Sequence, residues 1–373
     1  MALVVGIPAE VKNSEYRVAI TPDGVRELSQ HQLTVLVQTG AGRNSAIADS
    51  EYAAAGAEVV ATAAEVWERA ELICKVKEPQ PDEFDLMREG LVLFTYLHLA
   101  AYPEVAKALL ARKVAGVAYE TVQLESGALP LLAPMSEVAG RMATQIGAHY
   151  LERENGGRGV LLGGAPGVRP GRVVVLGAGN VGWNAAWIAA GMEAEVILLD
   201  KNIDRLRWVD QIHQGRIMTL ASNRGAVERA VAGADLVIGA VLVAGDRAPI
   251  VVTDGMVQGM KDRSVIVDVA IDQGGCVETI HETTHTDPVY EMHGVIHYAV
   301  GNIPGAVPYT STYALTNATL PYLLDLADHG LTAACRTDPA LASGVNTLGG
   351  AVVHETVAHA LGLEHTELET ALG

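Results

Sequence analysis

VVVLGAGNVGWNAAWIAAGM, residues 173–192, carries no charged side chain over twenty positions, about the length that crosses a bilayer. Its internal order points elsewhere. VVVL at 173–176 is a run of β-branched and aliphatic residues. Gly177, Ala178, Gly179, Asn180, Val181 and Gly182 then form a GxGxxG turn, and WNAAWIAAG reads as a helix. AEVILLD follows as a second apolar strand, and Asp200 ends it 18 residues beyond Gly182. Each part of this dinucleotide fingerprint has a mechanical role. Gly177 permits the tight turn, Gly179 lets the backbone approach a pyrophosphate, and Gly182 lets helix and strand pack closely. The pyrophosphate then rests on the helix N-terminus, where free N–H groups and the dipole favour negative charge. Asn180, Asn184 and the capped ends of the stretch fit this reading rather than a membrane span.

The pattern continues on the C-terminal side. ADLVIGAVLV (234–243) and SVIVDVAID (264–272) are continuous apolar runs, as parallel strands covered on both faces require. VERAVAG and TDGMVQGMKD between them read as helical, giving a doubly wound α/β domain, a Rossmann-type fold, over residues 131–306. Residues 1–130 alternate in the same way, from ALVVGIPAE and LTVLVQTG to AELICKVKEP, LVLFTYLHLA and VAGVAYETV, without a glycine fingerprint. They read as a second α/β domain with a different ligand. After residue 307, PYTSTYALTNATLPYLLDLADHG and GGAVVHETVAHALGL both read as helical and neither as more sheet. The nucleotide domain is then inserted, with residues 307–373 returning to the first domain and the cleft between the two as the expected place for chemistry. GGRGVLLGGAPGVRPG (156–171) reads as the connector into the first nucleotide strand.

Composition narrows the function classes. The 373 residues are 49% hydrophobic with a net charge of −18, which disfavours nucleic acid and anionic membrane as partners. The N-terminus reaches Glu10 before any signal-length apolar region develops, so a cytoplasmic location is expected. Cys74, Cys276 and Cys335 are odd in number and far apart, which suits neither a disulfide framework nor a zinc site.

Reactive residue types collect at the ends of the predicted strands of the first domain. Lys75 and Lys77 in KVKEP share one face if the segment is extended, His98 ends the aliphatic run FTYLHLA, and Arg17 lies in a polar loop after the first strand. Each also has a plain structural reading: a solvated lysine, a packed histidine, a surface ion-pair partner. Spacing alone leaves both readings open.

GIPAEVKNSEYRVAITP, KVKEP, FTYLHLAA, YETVQ, GALPLLAPMSEVAGR, GGRGVLLGGAPGV, DVAIDQGGC and TSTYALTNATLPY together resemble the bacterial L-alanine dehydrogenase family, which groups with the N-terminal parts of the transhydrogenase α chain. The similarity runs from the N-terminus to about residue 340 and is far more specific than the glycine turn. It implies reversible NAD-linked oxidative deamination of L-alanine to pyruvate and ammonia by a homo-oligomer, commonly a hexamer. Carried over by motif, the substrate arginine falls on Arg17, the substrate lysine on Lys77, the catalytic histidine on His98 and the catalytic aspartate on Asp272.

The cofactor set implied by the resemblance is Ser136, the Gly177–Gly182 turn, Asp200, Arg205, Ser222, Val241, Leu242, Val269, Ala270, Ile271, Asp272, Val300, Gly301, Asn302 and Ile303. Lys201 puts a positive charge beside the ribose-binding aspartate, and Arg205 stands where relatives often carry lysine. Asp325 and His329 resemble a carboxylate–histidine pair sometimes credited with magnesium, but on a helix they are i, i+4 neighbours and read as a structural pair; no metal is expected.

The chemistry agrees with this assignment. Oxidising an amino acid needs the carboxylate pinned and a proton acceptor in reach. Arg17 and Lys77 supply the first, and His98 the second. Asp272 can orient water or ammonia. A soluble transhydrogenase α-like nucleotide-binding component is the alternative, but a pure hydride exchanger has no use for Arg17, Lys77 and His98 together. A non-catalytic NAD sensor is a more distant one.

Overall fold

Short runs of Val, Ile, Leu and Ala become the strands of two sheets in this computed structural model, which describes residues 3–241 and 248–373. In chain order the first are β1 (Val4–Ile7), β2 (Thr34–Gln38), β3 (Glu58–Val60), β4 (Leu72–Cys74), β5 (Val92–Thr95) and β6 (Ala115–Ala118). There follow β7 (Arg172–Leu176), β8 (Glu195–Asp200), β9 (Ile217–Ala221), β10 (Leu236–Gly239), β11 (Val265–Asp268), β12 (Val289–Met292) and β13 (Val295–Tyr298). The last are β14 (Val345–Leu348) and β15 (Ala351–Val352). The chain divides into one unit of Met1–Met135 with Val307–Gly373 and a second of Ser136–Ala306.

The sheet of the first unit has the order β15-β14-β6-β5-β4-β1-β2-β3, and that of the second β12-β13-β11-β10-β7-β8-β9. Strands β1 to β6 pair in parallel, and so do β7 to β11 and β13. The winding β3-β2-β1-β4-β5-β6 therefore recurs as β9-β8-β7-β10-β11-β13. In each sheet the strand order reverses beside the first strand, and open α/β sheets bind ligands outside the carboxyl ends of the strands at that point. The uncharged stretch of the sequence is divided between β7, whose residues 173–176 are buried, and the helix Asn180–Gly191. Among the described residues no helix is long and apolar enough to cross a membrane.

Two hairpins complete the sheets, and the first overturns a helical reading. GGAVV is not helical: β14 and β15 form an antiparallel pair that extends the first sheet beyond β6. Gly349 and Gly350 between them have φ of 59° and 92°, the left-handed pair that a two-residue hairpin turn demands. Only the helix Glu355–Leu361 remains of the expected helical segment. β12 and β13 make the second hairpin, turned by His293 and Gly294 at φ 53° and 73°. The long helix Pro308–Thr337 breaks at Gly330, whose φ is 74°.

Three glycines shape the ligand end of the second sheet. A Cβ on Gly182 would stand 1.8 Å from the carbonyl oxygen of Gly177, and one on Gly177 would stand 2.5 Å from that of Ala240. Gly179 is different. A Cβ there meets nothing closer than the Arg205 guanidinium at 3.9 Å, so this glycine opens space where the other two remove a clash. Gly182→Ala forces the helix off the turn, and overpacking of this kind costs about 1–3 kcal/mol. Denaturant unfolding should show that loss together with weakened dinucleotide binding; an unchanged midpoint would contradict this packing.

Candidate active site

In the first unit the candidate side chains come from four neighbouring strand ends. The segment after β1 carries Glu10, Lys12, Glu15 and Arg17. That after β4 carries Lys75, Lys77 and Glu78, that after β5 Tyr96 and His98, and that after β6 Glu120. The β4–β5 ladder continues past both strands, with Lys75 N–H donating to Phe94 at 3.1 Å and Tyr96 N–H to Val76 at 3.3 Å. This keeps Lys77 and His98 in register.

Arg17 is buried. Its Nε and Nη2 donate to the two oxygens of Glu15 at 2.6 and 2.5 Å, and Nη1 lies 3.0 Å from Sδ of Met135. A bidentate carboxylate fixes the planar guanidinium. Burial works to raise the Glu15 carboxyl, but Arg17 more than offsets it and holds the group below the usual carboxylate range.

The two lysines of KVKEP part company. Lys75 is fully buried between Glu83 at 2.8 Å and Glu10 at 3.3 Å. Lys77 is half-buried, with its ammonium 5.9 Å from the centre of the Tyr96 ring. No carboxylate pairs with it among the described residues. Burial and then the charges of Arg17 and Lys12 lower its proton affinity. Lys12 pairs with Glu78 and donates to the Tyr102 hydroxyl at 3.2 Å.

His98 takes φ 47°, a conformation unusual for this residue type. Glu120 holds it there: one carboxylate oxygen accepts His98 N–H at 2.5 Å, and both accept Leu97 N–H at 3.2 Å. The Nδ1 of His98 is buried without a hydrogen-bond partner. Burial, then Lys77, Lys12 and Arg17, push its pKa down to about 3, so the imidazole is neutral and available as an acceptor. A dry setting and three cations thus take His98 away from the near-neutral titration usual for its residue type.

In the second unit the candidates also line up along the carboxyl ends of the strands. The glycine turn follows β7, Asp200 ends β8, Ser222 follows β9, Val241 follows β10, Val269–Gln273 follows β11 as a single 3₁₀ turn, and residues 300–303 follow β13. Ser136 lies on the helix Ala133–Tyr150, and Leu242 falls outside the described residues. Asp200 ties its strand to the glycine turn by accepting N–H from Ala178 at 2.5 Å and from Asn202 at 2.7 Å. The helix Asn180–Gly191 has no side-chain cap at its N-terminus. Its first N–H groups, the space at Gly179 and the adjacent Arg205 suit an anionic pyrophosphate. Asp272 is exposed, and a Cβ on Gly301 would lie 3.3 Å from its Oδ1.

Among the described residues no group of three or more His, Cys, Asp and Glu is arranged to hold a metal ion. Asp325 and His329 form an exposed pair at 2.8 Å. The three cysteines are buried free thiols.

Residues 6–139 match the alanine dehydrogenase/PNT N-terminal domain, and residues 143–355 match its C-terminal domain. The chain belongs to the alanine dehydrogenase/PNT family. It is 56% identical to the alanine dehydrogenase of Methanococcus maripaludis over 371 residues, covering 99% of this chain and all of that one. A solved L-alanine dehydrogenase superposes with a TM-score of 0.94 at 51% identity, over 96% of this chain and 99% of the other. The transhydrogenase from Sinorhizobium meliloti superposes with a TM-score of 0.83 at 27% identity, over 94% and 100%. Membership in the alanine dehydrogenase/PNT family makes the chain an oxidoreductase that works with a nicotinamide dinucleotide.

Lys12, Glu15, Glu78 and Glu120 were not among the residues singled out from sequence. The crowding of charge in PAEVKNSEYR is the one sequence signal that pointed toward the first two. The folded pKa of His98, about 3, lies below the unfolded value of about 6.5. The unfolded chain therefore binds the extra proton between these limits. The stability gained from a neutral His98 is complete above about pH 6.5 and is lost as pH falls toward 3. In protein without substrate the His98 ring carbons, followed by NMR, should not titrate between about pH 5 and 8, and Lys77→Ala should move the midpoint upward. A midpoint near neutrality in the unaltered protein would refute this electrostatic account.

Proposed function

We propose that the chain is an NAD-dependent L-alanine dehydrogenase, catalysing the reversible oxidative deamination of L-alanine to pyruvate and ammonia. The observation that carries this reading is the joining of Arg17, Lys77 and His98 at adjacent strand ends of a chain from this family. A hydride exchanger has no need of a carboxylate pocket with a neutral base beside it. The likeness to a transhydrogenase favours a nucleotide-binding component as the second reading.

In the proposed mechanism bound NAD supplies the hydride acceptor. Arg17, already aligned by Glu15, and Lys77 hold the substrate carboxylate. Lys77 also reaches the oxygen that becomes the keto group. A carboxylate arriving between these cations offsets the charges that suppress protonation of His98, so substrate binding itself raises the basicity of the imidazole. His98 then takes a proton as the amine is oxidised, and returns it as water adds and ammonia leaves. Asp272 orients that water or ammonia. NAD is preferred to NADP because a 2′-phosphate would meet the Asp200 carboxylate; exposed Lys201 softens the preference without supplying a pocket. A homohexamer in the cytoplasm, working on the small molecules L-alanine, pyruvate and ammonium, completes the reading.

NADH oxidation with pyruvate should require ammonium and should proceed faster with NADH than with NADPH. Turnover independent of ammonium, or dependent only on a second nucleotide, would favour the transhydrogenase component. Arg17→Lys loses one arm of the guanidinium fork, and a charge-assisted hydrogen bond is worth about 1.5–3 kcal/mol, or roughly one to two decades in pyruvate affinity. Lys77→Ala should lower kcat as well, because carbonyl polarisation grows toward the transition state. Both variants should bind NADH normally by fluorescence titration; unchanged pyruvate kinetics in both would mean that the carboxylate is held elsewhere.

A further inference from the structure

β11 ends on Asp268, a carboxylate with no access to solvent. No cation pairs with it among the described residues. Its oxygens are met by donors instead. Oδ1 accepts Ala270 N–H at 3.0 Å and faces Sγ of Cys276 at 3.7 Å, while Oδ2 accepts Cys276 N–H at 2.7 Å and Val277 N–H at 3.1 Å. These donors come from both ends of one loop. Ala270 begins it, Cys276 and Val277 close it, and the 3₁₀ turn Val269–Gln273 between them carries Asp272.

The backbone around the carboxylate is cut to fit. A Cβ on Gly239 would lie 2.7 Å from Oδ1, and one on Gly275, at φ 78°, would lie 3.0 Å from Oδ2. Three N–H groups converging on one side chain require acceptors alone, which a carboxylate offers and an amide does not. Burying that charge without a cation is costly. Backbone bonds already close the turn, with Gly275 N–H donating to the Ala270 carbonyl at 3.0 Å and Gly274 N–H to that of Ile271 at 2.8 Å, and the carboxylate adds a second tie that reaches on to Cys276 and Val277.

We propose that Asp268 is a positioning residue: by clamping both ends of the 269–277 loop it sets the place of the Asp272 carboxylate for the reaction. The proposal rests on the reading of Asp272 as a catalytic group. Asp268→Asn keeps the size of the side chain but turns an NH₂ toward the Cys276 and Val277 N–H groups, so the loop is left with its backbone bonds alone and Asp272 drifts. A displacement of about 1 Å at a reacting group costs on the order of 10²-fold.

The test is a double-mutant cycle on the full chain, with pyruvate, ammonium and NADH. Asp268→Asn should lower kcat about 10²-fold and leave KM for pyruvate nearly unaltered, since Arg17 and Lys77 are untouched. In the Asp272→Asn background the same change should cost little more, because the group it positions is already gone. An equal loss in both backgrounds, or no loss in kcat for Asp268→Asn alone, would overturn the proposal. Normal kcat in Asp272→Asn would instead sink the catalytic reading of Asp272 and the proposal with it, an outcome read in a separate arm. Should Asp268→Asn fail to fold, Asp268→Glu keeps both acceptor oxygens and is taken through the same cycle. Loss of cooperative unfolding in both variants would reduce Asp268 to a fold-stabilising residue and also overturn the proposal.

Discussion

A parallel strand that stops inside a protein leaves backbone N–H groups with no ladder partner, and unpaired buried N–H groups are costly. In this chain acidic side chains take them up, and the segments that bear function hang from those bonds. Glu10 accepts Val76 N–H at 2.6 Å and Lys77 N–H at 3.4 Å. Glu120 does the same for Leu97 and His98, Asp200 for Ala178 in the glycine turn, and Asp268 for the loop that holds Asp272. The backbone at Lys77, at His98, in the glycine turn and in the loop that bears Asp272 is thus tied in each case by a carboxylate.

Such carboxylates carry their own penalty. Burial raises the proton affinity of Glu10, Glu120 and Asp268, the last to about 6. The N–H donors pull each of them back, and Lys75 adds to that pull at Glu10. The network rigidifies the strand ends because every oxygen has a defined donor.

The charge balance of the first unit follows from the same geometry. A chain with a net charge of −18 repels small carboxylates at long range, so capture depends on local cations. Lys12 is matched by Glu78 and Arg17 by Glu15, while Lys77 has no carboxylate paired with it among the described residues. The cluster thus keeps Arg17 aligned through a partner and leaves Lys77 beside cations rather than a paired carboxylate. It also leaves His98 neutral, in the state a proton acceptor needs.

Much of this was legible in the order of residues. The apolar runs, the glycine turn with its distant aspartate, and the α/β alternation on both sides are local patterns, because strand and helix periodicity and turn chemistry act over a few neighbouring positions. The motifs around Arg17, Lys77, His98 and Asp272 were readable only through their resemblance to a family, because spacing alone does not choose a role for any of these residues. The two hairpins were not, since GGAVV and the segment around His293 are short apolar runs whose pairing partner decides their state. Nor was the division of labour between Lys75 and Lys77, which lie two residues apart and face different partners. Glu10 is 66 residues from the Val76 N–H it accepts, and Glu120 is 22 from His98. Local sequence marked the parallel strands, the glycine turn and the reactive residue types at the strand ends, but not the two hairpins. Only the tertiary structure, by winding β1, β4, β5 and β6 side by side, decided which carboxylate meets which N–H and how far the neighbouring cations depress the basicity of His98, because hydrogen bonds and Coulomb interactions depend on distance in space and not along the chain.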